Sequence, residues 1–351
     1  MQSIPWLTIL VVWPLAGALL IGLVPPIRLH GRALAMIWSL IELVVTVLTV
    51  IAWTQGSGPV RLEILASWIS QLGISYALGL TALGLLMIVL GAALVPLVLA
   101  AAWRDDKTPQ RGGSHAAWLL ALEASLMAVF TARDIVLFYV VFEAMLIPVY
   151  FLIGSFGGLQ RRRASLKFLI YSLAGGLVML AGVIAYGVYA GGDAQAFYLD
   201  GLTEPVLSQS AERLIFLSFF VAFAVKAPLW PVHTWLPDAA QAARPGTSAL
   251  LVGVLDKVGT FGMITLCLPL FPNAVRWAAP VIIVLAVVSV VWGAVLALVQ
   301  KDILRLIAYT SISHFGFIVL GIFVFDWQAL SGASFYMLAH GLATAGLFLL
   351  S

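Results

Sequence analysis

Eight ionisable residues stand inside long apolar stretches of this 351-residue chain: Glu42, Glu123, Glu143, Lys226, Asp256, Lys257, His314 and His340. A charge at bilayer depth costs a few kcal/mol or more, so such side chains mark functional positions by default. Depth follows from the helical rise of about 1.5 Å per residue. Glu143 lies nine residues past Asp134, and His314 nine past Arg305. Lys226 lies thirteen past Arg213, and Lys257 thirteen past Arg244. These intervals put the carboxylate about 14 Å deep and Lys257 about 20 Å deep. A carboxylate and an ammonium are both charged when close, and both tend to the neutral form when apart and dry. Acid, amine and imidazole at such depth could therefore pass protons.

Each residue also has a plainer reading. A buried Glu–Lys pair can be structural, and a membrane histidine can simply hold two helices together. Glu42 is followed by an apolar run and has no obvious partner, which favours packing or snorkelling. Glu123 could face the bundle beside Glu143. Asp256 adjoins Lys257, but neighbours on a helix point about 100° apart, so it tunes the field at the lysine without pairing to it.

The element that must position these groups is the stretch from Phe223 to Phe261. Two lysines flank a run of prolines, tryptophans and His233 that no uninterrupted helix contains. Pro228 withdraws the hydrogen bond to the carbonyl of Ala224, and Pro231 that to Ala227. Broken helices at membrane depth line ion sites, where freed carbonyls face protein or water. A proline-ended helix with an amphipathic connector accounts for the prolines and tryptophans but leaves Lys226 unexplained.

The composition sets the frame. The chain is 63% hydrophobic and 9% charged, with a mean hydropathy of +1.10. Soluble domains carry about 25% charged residues, so this is an all-α polytopic membrane protein. One cysteine, Cys267, excludes an internal disulfide and a multi-cysteine cluster, and the five scattered histidines make no metal-spaced pair. At about 20 apolar residues per crossing, eleven spans are expected: 4–24, 33–54, 74–102, 115–132, 135–156, 166–190, 213–232, 246–270, 275–299, 303–325 and 328–351. With the N-terminus outside, inner loops hold twelve of the basic residues and outer loops hold Arg61, Arg133, Arg213 and Arg276. The other two are the intramembrane lysines. That bias supports both the span count and an outside N-terminus. The last span runs apolar to Ser351 with no closing anchor, so a truncated chain is expected.

Five segments resemble the antiporter-like membrane subunits of respiratory complex I: FYVVFEAMLIPVYFLIG (138–154), KAPLWPVHTWLPDA (226–239), LVGVLDKVGTFG (251–262), DILRLIAYTSISHFGF (302–317) and MLAHGLATAGLFLL (337–350). The first of them points to the M-type branch over its L- and N-type siblings. The resemblance covers about residue 120 to 351; the first 110 residues add compatible topology. It implies fourteen helices in full-length members, with two inverted five-helix repeats. Here it divides the chain into 1–110 (helices 1–3), 111–270 (first repeat, helices 4–8) and 271–351 (start of the second, helices 9–11).

By the same resemblance, Glu143 is the fifth-helix glutamate and Lys226 its lysine partner in a broken helix 7. Lys257 is the central lysine of helix 8, and His314 and His340 continue the hydrophilic axis. Pro228 and Pro231 make the break, and Asp256 stands where an apolar residue is common. The implied function is proton translocation in a bacterial NADH:quinone oxidoreductase of the cell membrane, driven by quinone reduction elsewhere. No cofactor is implied in this chain: FMN, iron–sulfur clusters, NADH and quinone would belong to other subunits. The implied partners are the neighbouring L- and N-type chains and the lipid bilayer, with no nucleic acid. A subunit of a multi-component cation/proton antiporter or membrane-bound hydrogenase is the alternative, and a scaffold with a vestigial polar axis is a third reading.

Overall fold

The computed structural model describes residues 4–190, 196–201 and 207–351; part of the expected acidic 192–212 loop lies outside the described residues. Among the described residues, ten helices are long and apolar enough to cross a membrane. They are α1 (Trp6–Leu23), α2 (Gly31–Thr54), α3 (Ala82–Arg104), α4 (Pro109–Thr131), α5 (Ile135–Phe156), α6 (Arg161–Tyr189), α8 (Pro245–Leu270), α9 (Pro272–Leu298), α10 (Ile303–Phe323) and α11 (Trp327–Leu350). Between α6 and α8 runs α7 (Gln209–Lys226), which carries Glu212, Arg213 and Lys226. The span expected over 213–232 thus stops as a helix at Lys226. A turn follows, then a short helix, Trp235–Ala242.

The expected span at 74–102 starts too early. Residues 74–80 form a strand, Ile74–Leu80 (β2), paired antiparallel to Arg61–Ile69 (β1) around Gly73, whose φ is +69°. An apolar run of this length reads alike as strand or as buried helix. The switch comes at Thr81, whose hydroxyl accepts from Gly84 N–H and starts α3. The hairpin is tied to the α4–α5 junction by Ser75 N–H, which donates to Asp134; the same carboxylate caps α5 at Val136 and Leu137.

The opposite ends of the helices meet in an arginine network. Arg244, at the start of α8, grips Asp106 with two bonds of 2.8 and 2.7 Å. Arg111 reaches the same carboxylate at 3.1 Å, and Arg32 donates to the Asp106 carbonyl. Burial alone raises the Asp106 carboxyl, but the Arg244 bonds, with the charges of Arg244, His115 and Arg111, hold it below its ordinary value. This cluster joins α2, α4, α8 and the joint after α3, and it fixes where α8 begins.

Candidate functional site

Lys226 ends α7 fully buried, and among the described residues its ammonium has no hydrogen-bond partner. It lies over the rings of Phe142, 4.8 Å from the centroid, and Phe168, at 5.8 Å. Phe223 closes the pocket edge-on to Phe138 and Phe142. A cation over aromatic faces is attracted to them, which partly offsets its lost hydration.

The expected Glu143–Lys226 ion pair is not formed. No ion pair joins them among the described residues, and Glu143 Oε1 has no hydrogen-bond partner. The carboxylate lies instead against α6 at Gly176, where a Cβ would come within 1.7 Å of Oε1. Only glycine leaves that seat open. Phe168, Ser172 and Gly176 follow one another at i, i+4 and i+8, so they share one face of α6. The first touches the lysine and the last seats the glutamate. Ser172, buried and with its hydroxyl unpartnered among the described residues, lies between them. A serine in an apolar helix carries no distinguishing signal in the sequence; only the packing of α5, α6 and α7 singles it out.

The proline break also differs from its expected form. The carbonyl of Ala224 is not free, since Leu229 N–H donates to it at 2.9 Å, closing a wider turn around Pro228. The indole of Trp235 satisfies Val225 O at 2.9 Å. Trp230 N–H is held by Ser289 of α9 at 2.7 Å, and the Trp230–Pro231 peptide is cis. The break therefore keeps the Ala224 and Val225 carbonyls bonded rather than open. Asp238, beyond it, bridges Lys167 and Arg305 at 2.7 Å each, fastening the connector to α6 and α10.

Lys257 is wired differently. It follows a π-helical turn, Leu251–Leu255, in which Asp256 N–H donates to Leu251 O five residues back. The Lys257 ammonium donates to Val252 O at 2.5 Å and meets His340 Nδ1 at 2.8 Å, with the Phe315 ring centroid 5.0 Å away. His340 reaches it because α8 and α11 touch at Gly253 and Gly341, where a Cβ on Gly341 would lie 2.6 Å from Gly253 O. The rings of His340 and His314 are 5.2 Å apart, and His314 Nδ1 is hydrogen-bonded to the Tyr336 hydroxyl. The order along the file is thus Lys257, His340, His314, Tyr336, the reverse of the two histidines' order in the chain. Tyr336 was not among the residues expected from sequence.

Asp256 is fully buried and neither carboxylate oxygen has a partner among the described residues. It makes no ion pair with Lys257, and it lies within electrostatic reach of both Lys226 and Lys257. Glu123 is not beside Glu143 in the electrostatic sense: its charged neighbour is Glu42. Among the described residues no three His, Cys, Asp or Glu side chains converge to hold a metal.

Residues 132–351 match the model of the NADH:quinone oxidoreductase/Mrp antiporter transmembrane family. The chain belongs to that family. It is 43% identical to NADH-quinone oxidoreductase subunit M of Mycobacterium tuberculosis, over all of this chain and 70% of that protein. Subunit M of Rhodobacter capsulatus is 34% identical, over 98% of this chain and 69% of its own length. In respiratory complex I from Thermus thermophilus, one chain superposes with a TM-score of 0.88 at 32% identity, covering 98% of this chain and 70% of that one. The antiporter-like bundle and the M-type resemblance are thereby established. The break after Lys226 and the π-turn before Lys257 are both inside the matched region.

Proposed function

We propose that this chain is a proton-translocating membrane subunit of a bacterial NADH:quinone oxidoreductase, anchored in the cell membrane with its N-terminus outside. The observation that carries this reading is the file of Lys257, His340, His314 and Tyr336, hydrogen-bonded at each end with the two imidazoles 5.2 Å apart between, set beside a lysine held out of contact with its carboxylate. Closing the Glu143–Lys226 contact favours the charged pair, and opening it favours the neutral pair with the proton moved onward. Asp256 lies within electrostatic reach of both lysines, so its carboxylate acts on a proton released at Lys226 and on the Lys257 file. Redox energy set free in other subunits would drive the opening and closing.

In this reading flavin, clusters, NADH and quinone act in those other subunits, and the chain contacts neighbouring antiporter-like subunits. The segment 111–270 is one five-helix repeat and 271–351 the start of a second. The family model spans both oxidoreductase and antiporter subunits, so a cation/proton antiporter subunit is the second reading. Purifying the complex through this chain and following NADH oxidation with a pH-sensitive dye in proteoliposomes separates the two. NADH-driven acidification that Lys226→Ala removes while electron transfer continues supports the oxidoreductase reading. Co-purification with antiporter subunits and no NADH oxidation overturns it.

A further inference from the structure

The buried face of α2 is polar. Ser39, Glu42, Thr46 and Thr49 all point into the protein from a helix that is otherwise apolar. Their spacing of three, four and three residues lines them along one side. Ser39 and Thr49 bond back to their own helix, but the Thr46 hydroxyl and both Glu42 oxygens have no partner among the described residues. On α4, Glu123 is equally buried and neither of its oxygens has a partner.

The two helices place these carboxyls together. They begin side by side: a Cβ on Gly31 of α2 would come within 2.6 Å of the Gly113 Cα on α4. Both then run from that contact toward the hairpin side, packed on each other. Glu42 lies eleven residues beyond Gly31 and Glu123 ten beyond Gly113, so both are about 15 Å along their helices. Equal height on packed, parallel helices puts the two groups near enough to interact electrostatically, with no hydrogen bond between them among the described residues.

Among the described residues no cation answers them. The helices packed around the pair, α1 and α3, contain no ionisable residue within the membrane. Arg28, Arg32, Arg111 and His115 stand at the end near Gly31 and Gly113, and Arg61 and Glu63 stand on the hairpin at the other end. From the neighbouring helices, Glu143 is seated against α6 and Lys257 is engaged by Val252 and His340. Asp256, beside it, is another acid. Two neighbouring carboxylates in a dry interior with no cation cannot both be ionised, so one of them keeps its proton.

We propose that Glu42 and Glu123, with the Thr46 hydroxyl beside them, form a proton-binding site in the first four helices, separate from the lysine–histidine axis. A proton is held on one of the two carboxyls, and Thr46 is the polar group through which it enters or leaves along α2. The site gives the chain a second place to store a proton, at the seam between helices 1–3 and the first antiporter-like repeat.

The test uses the assembled complex. A hydrophobic carbodiimide reacts with protonated carboxyls in apolar surroundings, and peptide mass spectrometry locates the adduct. The expected result is an adduct on the Glu42 or Glu123 peptide at neutral pH that is lost in alkaline medium and unchanged by sodium chloride. A second measurement covers poor access of the reagent: infrared spectra of the native complex and of the Glu42→Gln/Glu123→Gln double variant should differ by one protonated-carboxyl carbonyl band. No adduct on either peptide together with no band lost overturns the proposal. Protection of both peptides by sodium also overturns it, because the site then holds an alkali cation.

Discussion

Lys226 and Lys257 are the same residue type, both fully buried, 31 positions apart in one stretch of chain. Their surroundings are opposite. Lys226 meets two aromatic faces and no hydrogen-bond acceptor, and its carboxylate is seated on a neighbouring helix. Lys257 has a backbone carbonyl and an imidazole within 2.8 Å and a second imidazole behind the first. A lysine without acceptors has a protonation that depends on what moves toward it. A lysine with fixed acceptors passes a proton along a standing path. The first is the place where conformational energy can act on a charge, and the second is the conductor it feeds.

That contrast is broken most severely by removing the first lysine. Lys226→Ala should abolish NADH-driven proton movement in proteoliposomes while the complex still assembles and oxidises NADH. On the conducting side, His340→Ala takes away the group touching Lys257, and a positioned proton-transfer group contributes at least on the order of a hundredfold. His314→Ala, one step further on, should cost less, on the order of tenfold. Equal losses in the two variants, read as proton flux per electron, would contradict the order Lys257, His340, His314.

Two glycine variants sharpen the comparison without touching an ionisable group. Gly176→Ala evicts the Glu143 carboxylate from its seat on α6, and Gly341→Ala pushes α11 off α8 and lengthens the Lys257–His340 bond. A misplacement of about 1 Å costs up to a hundredfold in well-positioned chemistry. Gly341→Ala should therefore slow proton flux at all redox loads, whereas Gly176→Ala should uncouple flux from electron transfer. Ser172→Ala, between glutamate and lysine, should reduce the proton yield by roughly twofold. An effect as large as that of Gly176→Ala would give the hydroxyl a larger part than bridging.

The smallest effect on pumping is expected at the arginine network. Asp106→Asn leaves Arg244 and Arg111 without their carboxylate, and breaking such a pair destabilises by about 3 kcal/mol. Because the native Asp106 carboxyl is held below its ordinary value, its contribution is complete above the unfolded carboxylate range and is lost as pH falls through the lowered value. Thermal unfolding of the wild type should weaken in acid, and the variant should show less of that acid loss, with its proton-to-electron ratio unchanged.

Much of the bundle was legible in the chain. The basic residues alternate between loops strongly enough to place the spans, and the two lysines, two histidines and prolines stand out against apolar surroundings. What escaped was local or mutual. The strand Ile74–Leu80 is as apolar as the helix that follows it, so hydropathy alone joined them. The Val225 carbonyl at the corner is bonded because Trp235, ten residues on, folds back to serve it, and no periodicity announces that. Glu42 looked solitary because its partner, Glu123, is 81 residues away on a helix that only packing brings alongside. Ser172 and Tyr336 are ordinary in composition and gain a role only from what they lie between.

The central claim is that Glu143 and Lys226 act as one switch although they are out of contact in this structure. The most direct test is the proton-to-electron ratio of the assembled complex in proteoliposomes carrying Glu143→Gln, Lys226→Ala, or both. Groups that act as a unit are strongly non-additive. The account predicts the same loss in each single variant and no further loss in the double. A wild-type ratio in either single variant, or losses that add in the double, would contradict it.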